Sequence, residues 1–77
     1  MTLDIRDMRQ ILAITQYGSF AKAAEALGVA QPSLSKSIAR LEDKLKVKLF
    51  DRSALGSALT PIGELIVERA ARIVTES

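Results

Sequence analysis

The sequence contains no cysteine and no histidine, and its only aromatic residues are one tyrosine and two phenylalanines. Without cysteine there is no disulfide framework and no thiolate metal site, and without histidine there is no Ser–His or Cys–His nucleophile pair. The remaining carboxylates and lysines leave little scope for catalysis, because 77 residues are few for enclosing a substrate pocket. We therefore expect a protein that is not an enzyme and that holds no metal or cofactor.

Long apolar runs are also missing. No stretch approaches the roughly 20 apolar residues that a membrane span requires. The start, Met1 to Asp4, has neither the basic nor the apolar region of a secretory signal. We expect a cytoplasmic domain with no membrane contact.

The apolar content, in contrast, is high. Hydrophobic residues make up 48% of the chain, and with so few aromatics they are mostly leucine, isoleucine, valine and alanine. A chain of this length builds one small core, and this mixture favours helices over a sandwich of strands. The expected fold is mainly α-helical.

The first two predicted helices are separated by clear boundary residues. Apolar residues recur at helical spacing over residues 4–17, with Asp4 as the expected N-cap and Gly18 as the stop. Ser19 then caps a short alanine-rich helix that ends at Gly28. A turn of about three residues follows, which is typical of a helix-turn-helix.

The third predicted helix runs over about residues 31–45 and carries the candidate binding surface. Its apolar stripe consists of Leu34, Ile38, Leu41 and Leu45. At about 100° per residue, the opposite face and its flanks consist of Pro32, Ser33, Ser35, Lys36, Ala39, Arg40 and Asp43. The first half of that face is small, polar and basic, so it can enter a DNA major groove without an acidic clash.

A small hairpin and a fourth helix complete the predicted fold. Alternation over residues 47–52 predicts a strand, residues 53–57 form a loop, and residues 58–60 form the return strand. Thr60 and Pro61 then begin the last helix as N-cap and first helical residue. The apolar face of this helix consists of Ile62, Leu65, Ile66, Ala70 and Ile73.

The order and identity of these residues resemble the amino-terminal domain of LysR-type transcriptional regulators. The resemblance covers Gly18-Ser19-Phe20, Ala23-Ala24, Leu27, Val29 to Lys36, Ile38, Leu41-Glu42, Leu45, Val47, Leu49-Phe50, Arg52, Leu59-Thr60 and Gly63. It implies a winged helix-turn-helix, with a three-helix core and a small β-hairpin wing, followed by a linker helix. It also implies that residues 1–60 form the DNA-binding domain, that residues 61–77 begin the linker and dimerisation helix, and that the effector-binding domain is absent.

The same resemblance assigns roles to individual residues. The family's groove-reading residues fall at Gln31, Pro32, Ser33, Ser35 and Lys36. Gln31 can pair with adenine, Lys36 with guanine or a phosphate, and Pro32 can contact a thymine methyl group. For the serines, hydrogen bonds to water or to nearby backbone remain the alternative.

Contacts to the DNA backbone are expected on both sides of that helix. Arg52 matches the family's phosphate-binding arginine, although a surface salt bridge with Asp51 or another carboxylate is the alternative. The full set of expected DNA-contacting residues is Gln31, Pro32, Ser33, Ser35, Lys36, Arg40, Arg52, Ser53, Ser19 and Lys22. Residues 53–58 carry no charge where relatives often carry arginine or lysine, so a basic-winged relative should bind random DNA more tightly and with a steeper salt dependence.

The expected partner is double-stranded DNA with an interrupted inverted repeat. The resemblance also implies a homodimer through the last helix, a tetramer in a full-length protein, and a small-molecule inducer that binds only the missing domain. The apolar face of the last helix would form the dimer contact, and its outer residues, Ala70 and Ile73, are expected to lie outward and to need a partner most. Two alternatives are a winged-helix protein-interaction module and an RNA-binding or nucleoid protein without sequence preference. The first would need an apolar exposed face where Lys36 and Arg40 lie, and the second a more basic surface with stacking aromatics.

Overall fold

A computed structural model describes residues 4–52 and 58–76 of the chain, with side chains described as far as Arg72. The elements are α1 (Ile5–Tyr17), α2 (Phe20–Leu27), α3 (Gln31–Leu45), β1 (Phe50–Asp51), β2 (Ala58–Leu59) and α4 (Pro61–Glu76). Three helices, a two-stranded hairpin and a fourth helix are the elements of a winged helix-turn-helix, so the predicted fold class is confirmed. None of the helices in the described ranges has the length and apolarity of a membrane span.

The predicted helix boundaries are produced by local hydrogen bonds. The Asp4 carboxylate accepts from the Asp7 backbone N–H at 2.9 Å, and the Asp7 carboxylate accepts from the Asp4 N–H at 3.4 Å. This reciprocal pair satisfies donors that the first turn of α1 leaves without helical partners. At the turn between α2 and α3, Gly28 has φ of 72°, a left-handed conformation that a residue without Cβ adopts readily.

The core lies where α1, α2 and α3 meet. Ala23 and Ala24 are 0% and 2% exposed, and such small side chains let two helices approach closely. The larger residues that are completely enclosed are Ile11, Ile14, Leu34, Ile38 and Leu49. The core therefore fixes the orientation of α3 through its apolar stripe, as the sequence predicts.

The hairpin is shorter than predicted. β1 and β2 are antiparallel, with Phe50 opposite Leu59 and Asp51 opposite Ala58. Residues 47–49 do not join the strand; instead, the Glu42 carboxylate accepts the Leu49 and Phe50 backbone N–H groups at 2.7 and 3.2 Å. The predicted loop at residues 53–57, which includes Ser53, lies outside the described residues.

The start of α4 is tied to the hairpin. Thr60 is the predicted N-cap, since its Oγ1 accepts from the Gly63 N–H at 3.1 Å while donating to the Lys48 carbonyl. The Thr60 N–H also donates to the Leu49 carbonyl at 3.0 Å. These bonds place Gly63 directly against the backbone of Leu49.

One residue of α4, Ala70, is more deeply buried than expected. Ile66 is 7% exposed and Ala70 is 1% exposed, because this side of α4 packs along α1. The expectation that Ala70 lies outward and needs a partner was therefore wrong. The exposed apolar residues are Ile62 at 40% and Leu65 at 50%, while the side chain of Ile73 lies outside the described residues.

Candidate nucleic-acid interface

The candidate interface is the outer face of α3. Leu34, Ile38 and Leu41 are at most 4% exposed and anchor the helix in the core. The exposed residues on the opposite side and its flanks are Pro32, Ser33, Lys36, Ala39, Arg40 and Asp43. Ser35 is half-buried, and Gln31 is exposed at the first position of the helix. No described part of the chain covers this face, so the predicted orientation of the helix is confirmed.

The shape and charge of this face change along the helix. Its first turns carry small or polar side chains, and Lys36 is the first charged residue. Arg40 follows one turn later and lines a surface depression together with Asp4, the N-cap of α1, and Asp7 in its first turn. Asp43 comes seven residues after Lys36, or about 10 Å further along the axis at about 1.5 Å per residue. The basic, uncrowded part of the face is therefore its amino-terminal half.

The start of α2 has the predicted cap. The Ser19 Oγ accepts from the Lys22 backbone N–H at 3.1 Å, and the Lys22 side chain is exposed. Phe20 is only 3% exposed, in agreement with its predicted place in the core. Its ring packs edge to face against Phe50, with the ring centroids 5.6 Å apart.

Arg52 follows β1 and lies between α2 and α3. Its guanidinium carbon is 3.9 Å from the centroid of the Phe20 ring, and its Nη2 donates to the Ser35 Oγ at 3.4 Å. The sequence had offered a phosphate contact or a salt bridge for Arg52. Stacking on Phe20 was not foreseen, since nothing in the spacing of residues 32 positions apart indicates that they touch.

Two further side chains position α3 without facing outward. The Ser37 Oγ donates to the Gln10 Oε1 at 2.7 Å, which ties α3 to α1. Glu42 ties the end of α3 to the start of β1 through the two backbone N–H groups described above. Glu42 was part of the sequence motif but had no assigned role, because the donors it satisfies become its neighbours only after folding.

The described side chains offer nothing else that resembles a reactive site. Among them there is no group of three or more acidic, cysteine or histidine residues that could hold a metal ion. The outer face of α3 is exposed and has the Lys22 and Arg52 side chains beside it, and both of these are exposed as well.

Comparisons with known proteins agree with this geometry. A family model described as "Bacterial regulatory helix-turn-helix protein, lysR family" matches residues 5–64. The chain is 42% identical over 71 residues to the SDS degradation transcriptional activation protein of a Pseudomonas species, covering 92% of this chain and 23% of that protein. The chain thus spans about a quarter of the length of that relative.

Two solved structures of DNA complexes have the same fold. The BenM DBD bound to benA site 1 DNA matches with a TM-score of 0.92 and 32% identity, over 96% of this chain and 83% of that one. The CbnR DBD–DNA complex matches with a TM-score of 0.88 and 34% identity, over 95% of this chain and 84% of that one.

Proposed function

This chain belongs to the LysR family of bacterial helix-turn-helix regulators, and from that membership we propose that its α3 reads a specific double-stranded DNA site from the major groove. The observation that carries the proposal is the outer face of α3. A rod anchored by buried Leu34, Ile38 and Leu41 presents a small, polar and basic surface that no described residue covers. Such a rod fits the width of the major groove.

The roles within that face follow from side-chain chemistry. Gln31 offers a paired donor and acceptor to adenine, Pro32 offers an apolar contact to a thymine methyl group, and Lys36 donates to guanine or to a phosphate. Ser33 and Ser35 contribute single hydrogen bonds to base edges or phosphates.

Cations and caps around α3 hold the DNA backbone. Arg52 and Lys22 bind phosphates from either side, with the N-terminus of α2 at Ser19 directed at the backbone. Arg40 adds a phosphate contact beyond Lys36, and Ser53 donates one hydrogen bond at the wing. These contacts carry no sequence information and set the affinity for any duplex.

The second part of the proposal concerns assembly. Residues 1–60 form the DNA-binding unit, and residues 61–77 begin a linker helix that pairs two subunits on an interrupted inverted repeat. Exposed Ile62 and Leu65 support this role, since two large apolar side chains one turn apart are poorly satisfied by water. Ile66 and Ala70, on the buried side of α4, pack the helix on α1 and so leave Ile62 and Leu65 exposed for a second subunit.

Charge substitutions on the exposed side of α4 should separate the subunits. We expect Ile62→Glu and Leu65→Glu to lower affinity for a two-half-site duplex about 100-fold, because paired subunits gain avidity that single subunits lack. Affinity for one half-site should stay within about twofold of the original. Fluorescence anisotropy on both duplexes measures this, and sedimentation gives the mass.

The matched control is Ile5→Glu. Ile5 lies on α1, and its 39% exposure nearly equals the 40% exposure of Ile62. It introduces the same charge at an isoleucine of the same accessibility. Retained affinity of Ile62→Glu and Leu65→Glu for the two-half-site duplex would contradict a subunit contact through this side of α4.

The wider biological setting follows from the family. In a complete protein we propose a tetramer whose additional domain binds a small inducer, and a cytoplasmic location where bacterial DNA is accessible. Transcriptional control then requires that inducer binding alter how the DNA-binding domains sit on the promoter.

One experiment tests the central proposal against its two alternatives. A preferred duplex is selected from a randomised pool, and its affinity is compared with that of a random duplex and a single strand at two salt concentrations. We expect the preferred duplex to bind about 10³-fold or more tightly than the random one, as sequence-specific regulators do. Equal affinity for all three nucleic acids would indicate a nonspecific binder, and no affinity for any of them would indicate a protein-interaction module.

A further inference from the structure

Three side chains from separate elements meet beside the amino-terminal half of α3. Phe20 comes from α2, Ser35 from α3, and Arg52 from the residue after β1. Arg52 stacks on the Phe20 ring at 3.9 Å and donates to the Ser35 Oγ at 3.4 Å. Phe20 is only 3% exposed, yet its ring supports the residue that donates to half-buried Ser35, one of the predicted groove-reading residues.

From this contact we propose that Phe20 is a specificity-determining residue that acts through Arg52 to hold the hydroxyl of Ser35 in place for base recognition. The inference rests on the proposed function, because it requires α3 to lie in the major groove. Phe20 is a positioning residue here, since at 3% exposure its side chain offers no surface for a direct contact with DNA.

The contact with Phe20 restricts the conformations of Arg52. An exposed arginine samples many rotamers and loses that freedom on binding. A guanidinium over an aromatic face is held by the attraction between the cation and the ring quadrupole. The ring of Phe20 is itself held in place by burial, since only 3% of the residue is exposed. Arg52 is therefore placed before DNA arrives.

The hydrogen bond from Arg52 in turn restricts the hydroxyl of Ser35. A serine hydroxyl has one donor and two acceptor lone pairs, and on a helix it can point several ways. The hydrogen bond from Arg52 occupies one lone pair and selects the orientation of the oxygen. Within the described residues the hydroxyl proton has no acceptor, so it is available to a base. The neighbouring positive charge also polarises the O–H group and strengthens it as a donor.

Arg52 can hold the Ser35 hydroxyl and bind a phosphate at the same time. A guanidinium carries five N–H donors in one plane, and only one is used by Ser35. The remaining donors can reach the DNA backbone. One residue therefore links the backbone contact to the orientation of a base contact, and Phe20 determines the second of these by positioning Arg52 over its ring.

The test uses a substitution that removes the ring face but keeps an apolar core residue. Phe20→Leu should lower the preference for the base pair that Ser35 contacts by about three- to tenfold, the value of one hydrogen bond. Affinity for a random duplex should change by less than about twofold, because Arg52 keeps its charge. The base pair is identified as the one whose preference is lost in Ser35→Ala, by measuring affinities for single-base variants of the selected duplex.

The control is Phe50→Leu. It removes the other ring of the same edge-to-face pair from a residue that is 5% exposed, and it leaves the platform under Arg52. Both variants are expected to lose stability, but only Phe20→Leu is expected to lose base preference. Equal losses of preference in the two variants would assign the effect to the core and overturn the inference.

A double substitution provides a second, independent readout. If Phe20 acts through Ser35, then Phe20→Leu should have no further effect on base preference in a Ser35→Ala background. Additive effects would show that Phe20 acts by another route and would reject the proposal. If the original protein shows no duplex preference, the proposed function fails first. If the original protein prefers the selected duplex, and Ser35→Ala removes that preference while Phe20→Leu does not, then the inference about Phe20 is wrong and the proposed function stands.

Discussion

Gly63→Ala should lower the free energy of unfolding by about 3 kcal/mol, at the upper end of the cost of overpacking a core. An added Cβ would lie 2.3 Å from the carbonyl oxygen of Leu49 and 3.1 Å from Cδ2 of Leu59. The Leu59 side chain can turn away, but the carbonyl belongs to the backbone. Either α4 or the segment before β1 must move to admit one methyl group.

That backbone is held on both sides. The Leu49 N–H donates to the Glu42 carboxylate at 2.7 Å, and the Leu49 carbonyl accepts from the Thr60 N–H at 3.0 Å. Moving Leu49 would strain both bonds together with the completely buried Leu49 side chain. A small domain has only about 5 kcal/mol of stability or little more, so the substitution consumes a large part of it.

Urea denaturation followed by circular dichroism measures this effect, and its sign is informative. Helix propensity alone predicts that alanine in place of glycine within α4 stabilises by about 1 kcal/mol. The control is Gly18→Ala, where φ is 77° and nothing lies within 4 Å of the added Cβ. We expect it to cost about 1 kcal/mol from the left-handed backbone alone. A stabilised Gly63→Ala protein would mean that α4 does not sit this close to Leu49.

Lys36→Ala should reduce the preference for the selected duplex over a random one by about 10- to 100-fold, equivalent to ~1–3 kcal/mol. Lys36 is exposed on the first half of the outer face of α3, where a side chain can reach a base edge. If α3 reads the major groove as proposed, deleting Lys36 removes the first cationic donor on this face. Because the residue is exposed, the free energy of unfolding should stay within about 0.5 kcal/mol of the original.

Lys44→Ala separates base recognition from simple loss of charge. Lys44 is also exposed on α3, two turns further along the helix and in its last turn. Its loss should weaken all duplexes slightly and equally, with no change in preference. Competition of unlabelled random duplex with labelled selected duplex gives the ratio of the two affinities for each variant. If the two variants lose preference to the same extent, Lys36 is not a groove-reading residue.

The elements that the sequence predicted best are those with local causes. Asp4, Ser19 and Thr60 cap helices by bonds to residues three positions away, and each of these bonds is present. Gly28 ends α2 by its own backbone preference. The stripe of Leu34, Ile38 and Leu41 needed only the 3.6-residue period of a helix to identify the buried side of α3.

The interpretations that failed concern contacts between distant parts of the chain. Periodicity places Ala70 on an apolar face of α4 but does not say which neighbour covers it, and the answer is α1. The alternation over residues 47–52 predicted a longer strand, but in the middle of that segment the Glu42 carboxylate accepts the N–H groups of Leu49 and Phe50. A carboxylate seven or eight residues earlier in the chain thus accepts from backbone donors of the predicted strand and competes with strand pairing. The spacing of apolar residues gives no indication of such a contact.

The sequence by itself determined the helix boundaries, the inward side of α3, the family and the chemical character of the surface offered to DNA. These depend on interactions within a few residues, on the repeat of a helix, or on residue identities matched along the chain. Only the tertiary structure decided that Arg52 lies on Phe20 and reaches Ser35, and that Ala70 belongs to the core. It also decided that there is no room for a side chain at Gly63. Each of these depends on where packed elements cross in space, which is set by the whole core together.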